Sequence, residues 1–206
     1  MRKRGVIVKK LSKKLGIATL VVCLMTGCGN PLKKMTSSTV YIQKNGKVQS
    51  LSVESFDKEY YKEEDLKAFI DKEIEEQQKE RSEDSVSIKE FKVKEEKATL
   101  QLQFAGIDDY QAFTDTEIEN GMYTKEIANE KEIKELISRE TNEKQEISQI
   151  EPSENLNYIY LKDPEGIQIL FDTKVQYCSE NVTILDENFV RIPADELCFI
   201  VYEGNK

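Results

Sequence analysis

Histidine and tryptophan are both absent from the 206-residue sequence. Without histidine, the chain cannot form a Ser-His-Asp or Cys-His catalytic arrangement, or a zinc or iron site with imidazole ligands. The lack of tryptophan removes the largest aromatic contact surface, which disfavours a carbohydrate-binding platform. A glycine-rich phosphate loop and a dinucleotide-binding fingerprint are also missing. We therefore expect a protein that is not an enzyme and that uses no cofactor and no metal ion.

Acidic residues are absent from one end of the chain and dominate the rest. Seven lysines and arginines precede Cys28, and no aspartate or glutamate does. Residues 28–206 hold 23 basic and 39 acidic side chains, which gives a formal net charge of −16. Such a surface repels the phosphates of nucleic acids. The composition therefore argues against a nucleic-acid partner.

The basic N-terminus is followed by an apolar run from Leu15 to Gly27. A bilayer-spanning helix needs roughly 20 apolar residues, so this run is too short to cross comfortably. The run also lacks the polar face that would orient a helix in a soluble core. A basic start, a short apolar middle and small residues at the end are typical of an export signal. We predict that residues 1–27 are a signal peptide.

The end of this run is more specific than a general export signal. Met25-Thr26-Gly27-Cys28 resembles the lipobox of bacterial lipoproteins, in which small residues precede an acylated cysteine. The resemblance implies that the thiol of Cys28 receives a diacylglyceryl group and that cleavage occurs between Gly27 and Cys28. Two or more acyl chains on one residue give stable attachment to a bilayer. We expect a lipoprotein anchored to the cell membrane, facing outside the cytoplasm, with the lipid bilayer as a partner.

The mature sequence is also similar to small uncharacterised envelope lipoproteins of Gram-positive bacteria. Three stretches carry this resemblance: Tyr41–Val48 (YIQKNGKV), Glu54–Ile70 (ESFDKEYYKEEDLKAFI) and Asp108–Tyr110 (DDY). It implies a place in the cell envelope. It assigns no functional residue other than Cys28.

A short tether is predicted at residues 28–38, because this stretch has no hydrophobic periodicity. The α+β core is predicted at residues 39–115 and begins with a hairpin. Asn45-Gly46 between two β-prone runs is a strong signal for a two-residue turn. Val48 and Leu51 are three positions apart, so a regular strand would place these two apolar side chains on opposite faces. This spacing indicates either a bulge or a change of the buried face in the second strand.

The rest of this core is predicted from two clear periodicities. Apolar residues recur at helical spacing from Glu63 to Lys79, which indicates an amphipathic helix. From Ala98 to Phe104 apolar and polar residues alternate strictly, as in a half-buried strand that closes a second hairpin. A short helix from Asp108 to Phe113 follows. The fold class is therefore α+β, with antiparallel hairpins and a packed helix in the order β-β-α-β-β-α.

Residues 116–156 are rich in charged and polar side chains and are predicted to form a helix and a connector. Ile133, Leu136 and Ile137 are spaced as on one helix face, with Asn129 as the N-cap. Residues 157–206 return to short β-prone runs separated by turn residues. Because about 45 residues are marginal for an independent domain, we expect this β-rich part to belong to the same globular unit.

Four side chains in the C-terminal part are candidates for a site. Cys178 and Cys198 both lie in strand-like runs, and two outcomes stay open for them: a disulfide, or two buried free thiols. Tyr158 and Tyr160 share one face of a predicted strand, so they are candidates for a binding surface. Tyr60-Tyr61 is a further aromatic candidate before the main helix.

These observations favour a membrane-anchored extracytoplasmic lipoprotein whose specific function is unknown. Its domain is expected to bind or sense a partner, which is an extracytoplasmic protein or a wall component. Two alternatives remain. One is a cell-wall-acting enzyme that uses a carboxylate pair, which would need two acids about 5 to 10 Å apart in a cleft. The other is a small solute-binding component of a transporter.

Overall fold

The computed structural model describes residues 30–204. The predicted signal peptide, the predicted cleavage site between Gly27 and Cys28, and Cys28 itself as the predicted acylation site lie outside the described residues. Among the helices between residues 30 and 204, none is both long and apolar enough to span a bilayer.

The first part of the chain folds in the predicted order β-β-α-β-β-α, and the α+β class is confirmed. Alternating and helical apolar patterns give these elements because each buries one face against a common core. The elements are β1 (Thr39–Ile42), β2 (Val48–Ser55), α1 (Glu63–Glu80), β3 (Val86–Lys94), β4 (Lys97–Phe104) and α2 (Ile107–Phe113).

The first hairpin turn is one residue longer than the predicted two-residue turn. The N–H of Gly46 donates to the carbonyl of Gln43, and the N–H of Gln43 donates to the carbonyl of Lys47. Gly46 has a φ of +82°, in the left-handed region that glycine enters freely. This arrangement is the three-residue loop with a glycine bulge, the next commonest hairpin connection.

The predicted helix through Ile133, Leu136 and Ile137 is wrong. A helix forms earlier and is capped by Thr124, whose hydroxyl accepts from the Ile127 N–H at 3.2 Å. The apolar residues that follow belong to a strand, in which neighbouring side chains face opposite sides. The elements of this region are β5 (Glu117–Met122), α3 (Lys125–Glu130), β6 (Glu135–Ser138) and β7 (Lys144–Glu146).

The C-terminal part consists of six strands that divide between two sheets. One sheet has seven strands in the order β11-β12-β9-β1-β2-β4-β3, and the other has six in the order β5-β8-β13-β10-β6-β7. The C-terminal strands therefore both extend the first sheet and build the second. They are β8 (Leu156–Lys162), β9 (Gln168–Phe171), β10 (Val175–Cys178), β11 (Thr183–Asp186), β12 (Phe189–Arg191) and β13 (Cys198–Glu203).

Two hydrophobic clusters hold the layers together. The main cluster joins the inner faces of both sheets to α1, for example through Ile42, Ile70 and Ile159. The second cluster lies on the other face of the six-stranded sheet, where Phe199 packs with Tyr123 and residues of the 116–156 region. The predicted charged helix and connector are therefore replaced by elements that cover a sheet.

The segment predicted as a tether is partly folded. A 3-10 turn spans Pro31–Lys34, and the Asn30 side chain accepts from the Leu32 N–H at 3.0 Å. Leu32 is only 1% exposed. The folded body therefore begins within a few residues of Cys28.

Candidate functional site

A polar cleft of about 370 Å³ opens where the two sheets meet. Its walls come from the β1–β2 turn, the start of α2, the middle of β5, the start of β8 and the end of β13. These segments are far apart in the sequence and are brought together only by the fold. No local spacing pattern could therefore have predicted the cleft.

Asp172 fixes one wall of the cleft. Its Oδ2 accepts the backbone N–H of Lys44 at 2.7 Å, and its Oδ1 accepts the hydroxyl of Tyr41. Burial, and then the hydrogen bond and charge of Asp172, raise the pKa of the Tyr41 hydroxyl far above its usual value. Tyr41 is thus held as a neutral donor, and the β1–β2 turn is tied to the end of β9.

Asp109 fixes another part of the cleft lining. The Arg81 Nε donates to Asp109 Oδ1 at 2.5 Å, and the Asp109 side chain is 16% exposed. The amide of Gln77 donates to the Asp109 carbonyl at 3.2 Å. The start of α2 is thereby joined to the C-terminal end of α1.

The end of β13 forms the floor on the side of the six-stranded sheet. The Gln176 amide donates to Glu203 Oε1 at 2.8 Å, and the Thr173 hydroxyl donates to the Glu203 carbonyl at 2.5 Å. The cleft thus presents carboxylates and cations that are already engaged with other groups of the protein. Such a set of fixed donors and acceptors is suited to hold a polar ligand, because orienting groups in binding sites are few and preorganised.

A carboxylate pair does occur, but outside this cleft. Burial, and then the charge of Glu165, raise the pKa of the Glu54 carboxyl. Neither residue is among those that line the cleft. Between residues 30 and 204, no three Cys, Asp or Glu side chains come close enough to hold a metal ion.

Cys178 and Cys198 lie on neighbouring antiparallel strands and are both fully buried. The register places Cys178 opposite Ile200, so Cys198 is its diagonal neighbour. Diagonal neighbours are about 7–8 Å apart, with their Cβ atoms somewhat closer, whereas a disulfide needs Cβ atoms about 3.5–4.5 Å apart. The structure accordingly has both cysteines as free thiols, and a disulfide between them would require the backbone to move.

We expect neither buried thiol to react with N-ethylmaleimide in the native mature chain at mildly alkaline pH. Burial raises the pKa of Cys178 to about 11 and that of Cys198 to about 12, so little reactive thiolate forms. Mass spectrometry after labelling in urea should show both thiols modified. If neither cysteine is modified by N-ethylmaleimide after unfolding in urea without a reductant, the chain contains the disulfide instead.

The predicted binding surface at Tyr158 and Tyr160 is largely buried. Tyr158 is 4% exposed and stacks on Phe199 with ring centroids 5.4 Å apart, while its hydroxyl donates to Glu119 at 2.9 Å. Tyr160 also packs against the second cluster, and Lys131 Nζ lies 5.1 Å from its ring centroid. The two tyrosines share a face as predicted, but that face is covered by the 116–156 region.

The exposed aromatic group lies instead before α1. Tyr60 is 75% exposed, and its ring centroid is 5.0 Å from that of Tyr61. Phe56 packs on Tyr61 at 5.1 Å. Sequence reasoning found the tyrosine pair here, whereas it missed the cleft because the cleft has no local motif.

Comparison with known proteins gives no family. No protein-family model matches the chain, and no curated protein does. Among solved structures, the folded domain of LppM from Mycobacterium tuberculosis has a TM-score of 0.39 and 7% sequence identity. The match covers 82% of this chain and 89% of that domain. At this level of similarity, we carry no residue or role from that protein to this chain.

Proposed function

We propose that this protein is a non-enzymatic lipoprotein, anchored through acylated Cys28 outside the cytoplasm, whose polar cleft binds a partner of the cell envelope. The observation that carries this proposal is the position of Leu32. A buried residue four positions after Cys28 leaves a linker of at most about 14 Å when extended. Such a linker suits a body that works at the membrane face.

The state of the cleft supports binding rather than catalysis. A general acid or nucleophile needs a group that is poised to exchange a proton with a substrate. Here the Asp109 carboxylate is paired with Arg81, and the Asp172 carboxylate accepts from Tyr41. These groups are arranged as a rigid polar wall, which favours recognition of a polar ligand.

The anchor is tested with a Cys28→Ala variant of the full-length chain. We expect wild type to lose residues 1–27, gain diacylglyceryl mass and fractionate with membranes. The variant should carry no lipid mass, because the thiol that accepts the lipid is gone. Processed chain should also be missing from the membrane fraction of the variant. Intact-mass analysis of the membrane fraction measures both changes.

A matched control is Cys23→Ala, which removes the other cysteine of the N-terminal region. Because residue 23 lies in the predicted signal peptide, this variant should be lipidated and anchored like wild type. A wild-type chain that retains residues 1–27, or that stays in the cytosol, would contradict the proposed location and function.

A further inference from the structure

The seven-stranded sheet has an outer face that points away from the main cluster. Strand pairing places Thr39, Leu51 and Gln101 in one row across this face. Val48 faces the core and Leu51 faces outward in a regular ladder, so their spacing reflects a change of face and not a bulge. The two longer helices do not shield this face, because their buried apolar residues belong to the main cluster on the inner side.

The middle of this outer face is nevertheless covered. Thr39 is 0% exposed, Leu51 is 5% exposed and Gln101 is 2% exposed. Leu32 is equally buried and belongs to neither hydrophobic cluster. The segment that joins this turn to β1 runs alongside the sheet, since the Ser38 hydroxyl accepts from the Val53 N–H at 3.1 Å. The shared burial indicates that the turn of Leu32 folds onto the outer face, so the described part of the chain begins beside this face.

The strand-paired positions of this face carry more basic than acidic side chains, unlike the protein as a whole. These positions carry four basic side chains and two acidic ones, although residues 28–206 have a net charge of −16. The four basic residues are Lys92, Lys94, Lys97 and Arg191, and the two acidic ones are Glu90 and Asp186. Lys92 is paired with Glu90 and Lys94 with Glu95, each at 3.0 Å, so the basic side chains free to meet an anionic surface are the other two. Lys97 and Arg191 are exposed and form no ion pair with another residue in the range 30–204.

The turn that covers the face adds to its positive charge. Lys33 and Lys34 are consecutive and exposed within the turn of Leu32. Attraction between lysine or arginine and an anionic bilayer acts within about one Debye length, roughly 8 Å at physiological salt. An extended linker of at most about 14 Å allows the face to come that close.

We propose that the outer face of the seven-stranded sheet lies against the anionic headgroups of the membrane that holds the anchor. This inference rests on the proposed function, because the acyl chains of Cys28 supply the attachment and the basic residues set the orientation. The acidic remainder of the protein is then repelled from the same surface. In this orientation α1 and the outer side of the six-stranded sheet face the aqueous phase.

Single-cysteine labels on the lipidated chain test the orientation in vesicles of phosphatidylglycerol and phosphatidylcholine. Ser87→Cys and Thr183→Cys place a fluorophore at the two edges of the outer face, where both residues are exposed. Ser148→Cys is the matched control beside the second cluster, on the far side of the molecule. Cys178 and Cys198 are buried, and the unsubstituted chain measures any label that they take up.

We expect a headgroup nitroxide lipid to quench the labels at residues 87 and 183 several-fold more than the label at residue 148. The Lys97→Glu/Arg191→Glu variant should lose most of this difference. The matched Lys72→Glu/Lys134→Glu variant has the same net charge but changes lysines elsewhere, and it should keep the difference.

The outcomes separate the two proposals. If the wild-type chain does not float with the vesicles, the lipid anchor and the proposed function fail. If the chain floats but all three labels are quenched equally, or residue 148 most, the orientation alone is overturned. Persistence of the difference in the Lys97→Glu/Arg191→Glu variant would overturn the electrostatic basis of the orientation.

Discussion

Replacing Gly166 by alanine is expected to destabilise the protein by about 2–5 kcal/mol. Gly166 has a φ of +72°, and a left-handed alanine costs about 1–2 kcal/mol. A Cβ atom at this position would also lie 2.9 Å from the Ala194 nitrogen and 2.9 Å from the Ile192 oxygen. Because both are backbone atoms, they cannot turn aside, and such overpacking costs about 1–3 kcal/mol more.

Gly46 provides the matched control, since its φ of +82° is equally left-handed but a Cβ atom there would meet nothing within 4 Å. Gly46→Ala should therefore lose only the conformational term of about 1–2 kcal/mol. Urea denaturation followed by circular dichroism measures both variants. Equal losses for the two would show that the turn at Gly166 does not pack against residues 192–194 as described.

The second large effect is expected for Phe199→Ala, at about 3–5 kcal/mol of unfolding free energy. Phe199 is 0% exposed and lies at the centre of the second cluster. Its ring stacks on Tyr158 at an interplanar angle of 5° and is 6.4 Å from that of Tyr123. Removing it leaves a cavity lined by the ring of Tyr123, which follows β5, and by the rings of Tyr158 and Tyr160 on β8.

Phe56→Ala is the control for losing an aromatic ring at a half-buried site. It should cost about 1 kcal/mol, because most of the ring's surroundings remain solvent. The same denaturation experiment compares the two. A Phe199→Ala loss no larger than that of Phe56→Ala would mean that the region 116–156 does not cover the six-stranded sheet.

The elements that the sequence predicted well carry apolar side chains on one face and polar side chains on the other. β4 alternates strictly from Ala98 to Phe104, and α1 carries its apolar stripe at helical spacing, so each periodicity is visible without the structure. The six-stranded sheet is covered on both faces, and its strands lose this alternation. Leu136 therefore points to the second cluster while Ile137 packs against the main one, and the pair resembled a helical stripe.

The same cause explains the error at Tyr158. Two tyrosines on one strand face indicated a binding surface. Nothing in the neighbouring sequence showed that α3 and the adjacent elements would cover that face. The cleft was beyond sequence reasoning for a different reason. Its walls bring Lys44, Asp109 and Glu203 together from distant parts of the chain, and no spacing rule joins them.

The parallel pairing of β1 with β9 has a consequence for the order in which the protein matures. Thr39 lies beside Gln168, 129 residues further along the chain. Contacts of such long sequence separation form slowly, because the entropy of closing the intervening loop is lost before the strand pairing contributes any stabilisation. If the chain is exported from its N-terminus, β1 emerges early and keeps an open edge until β9 follows. If Cys28 is also acylated as proposed, acylation would precede completion of the sheet, and a delay in export would leave a membrane-tethered, half-formed edge exposed to aggregation.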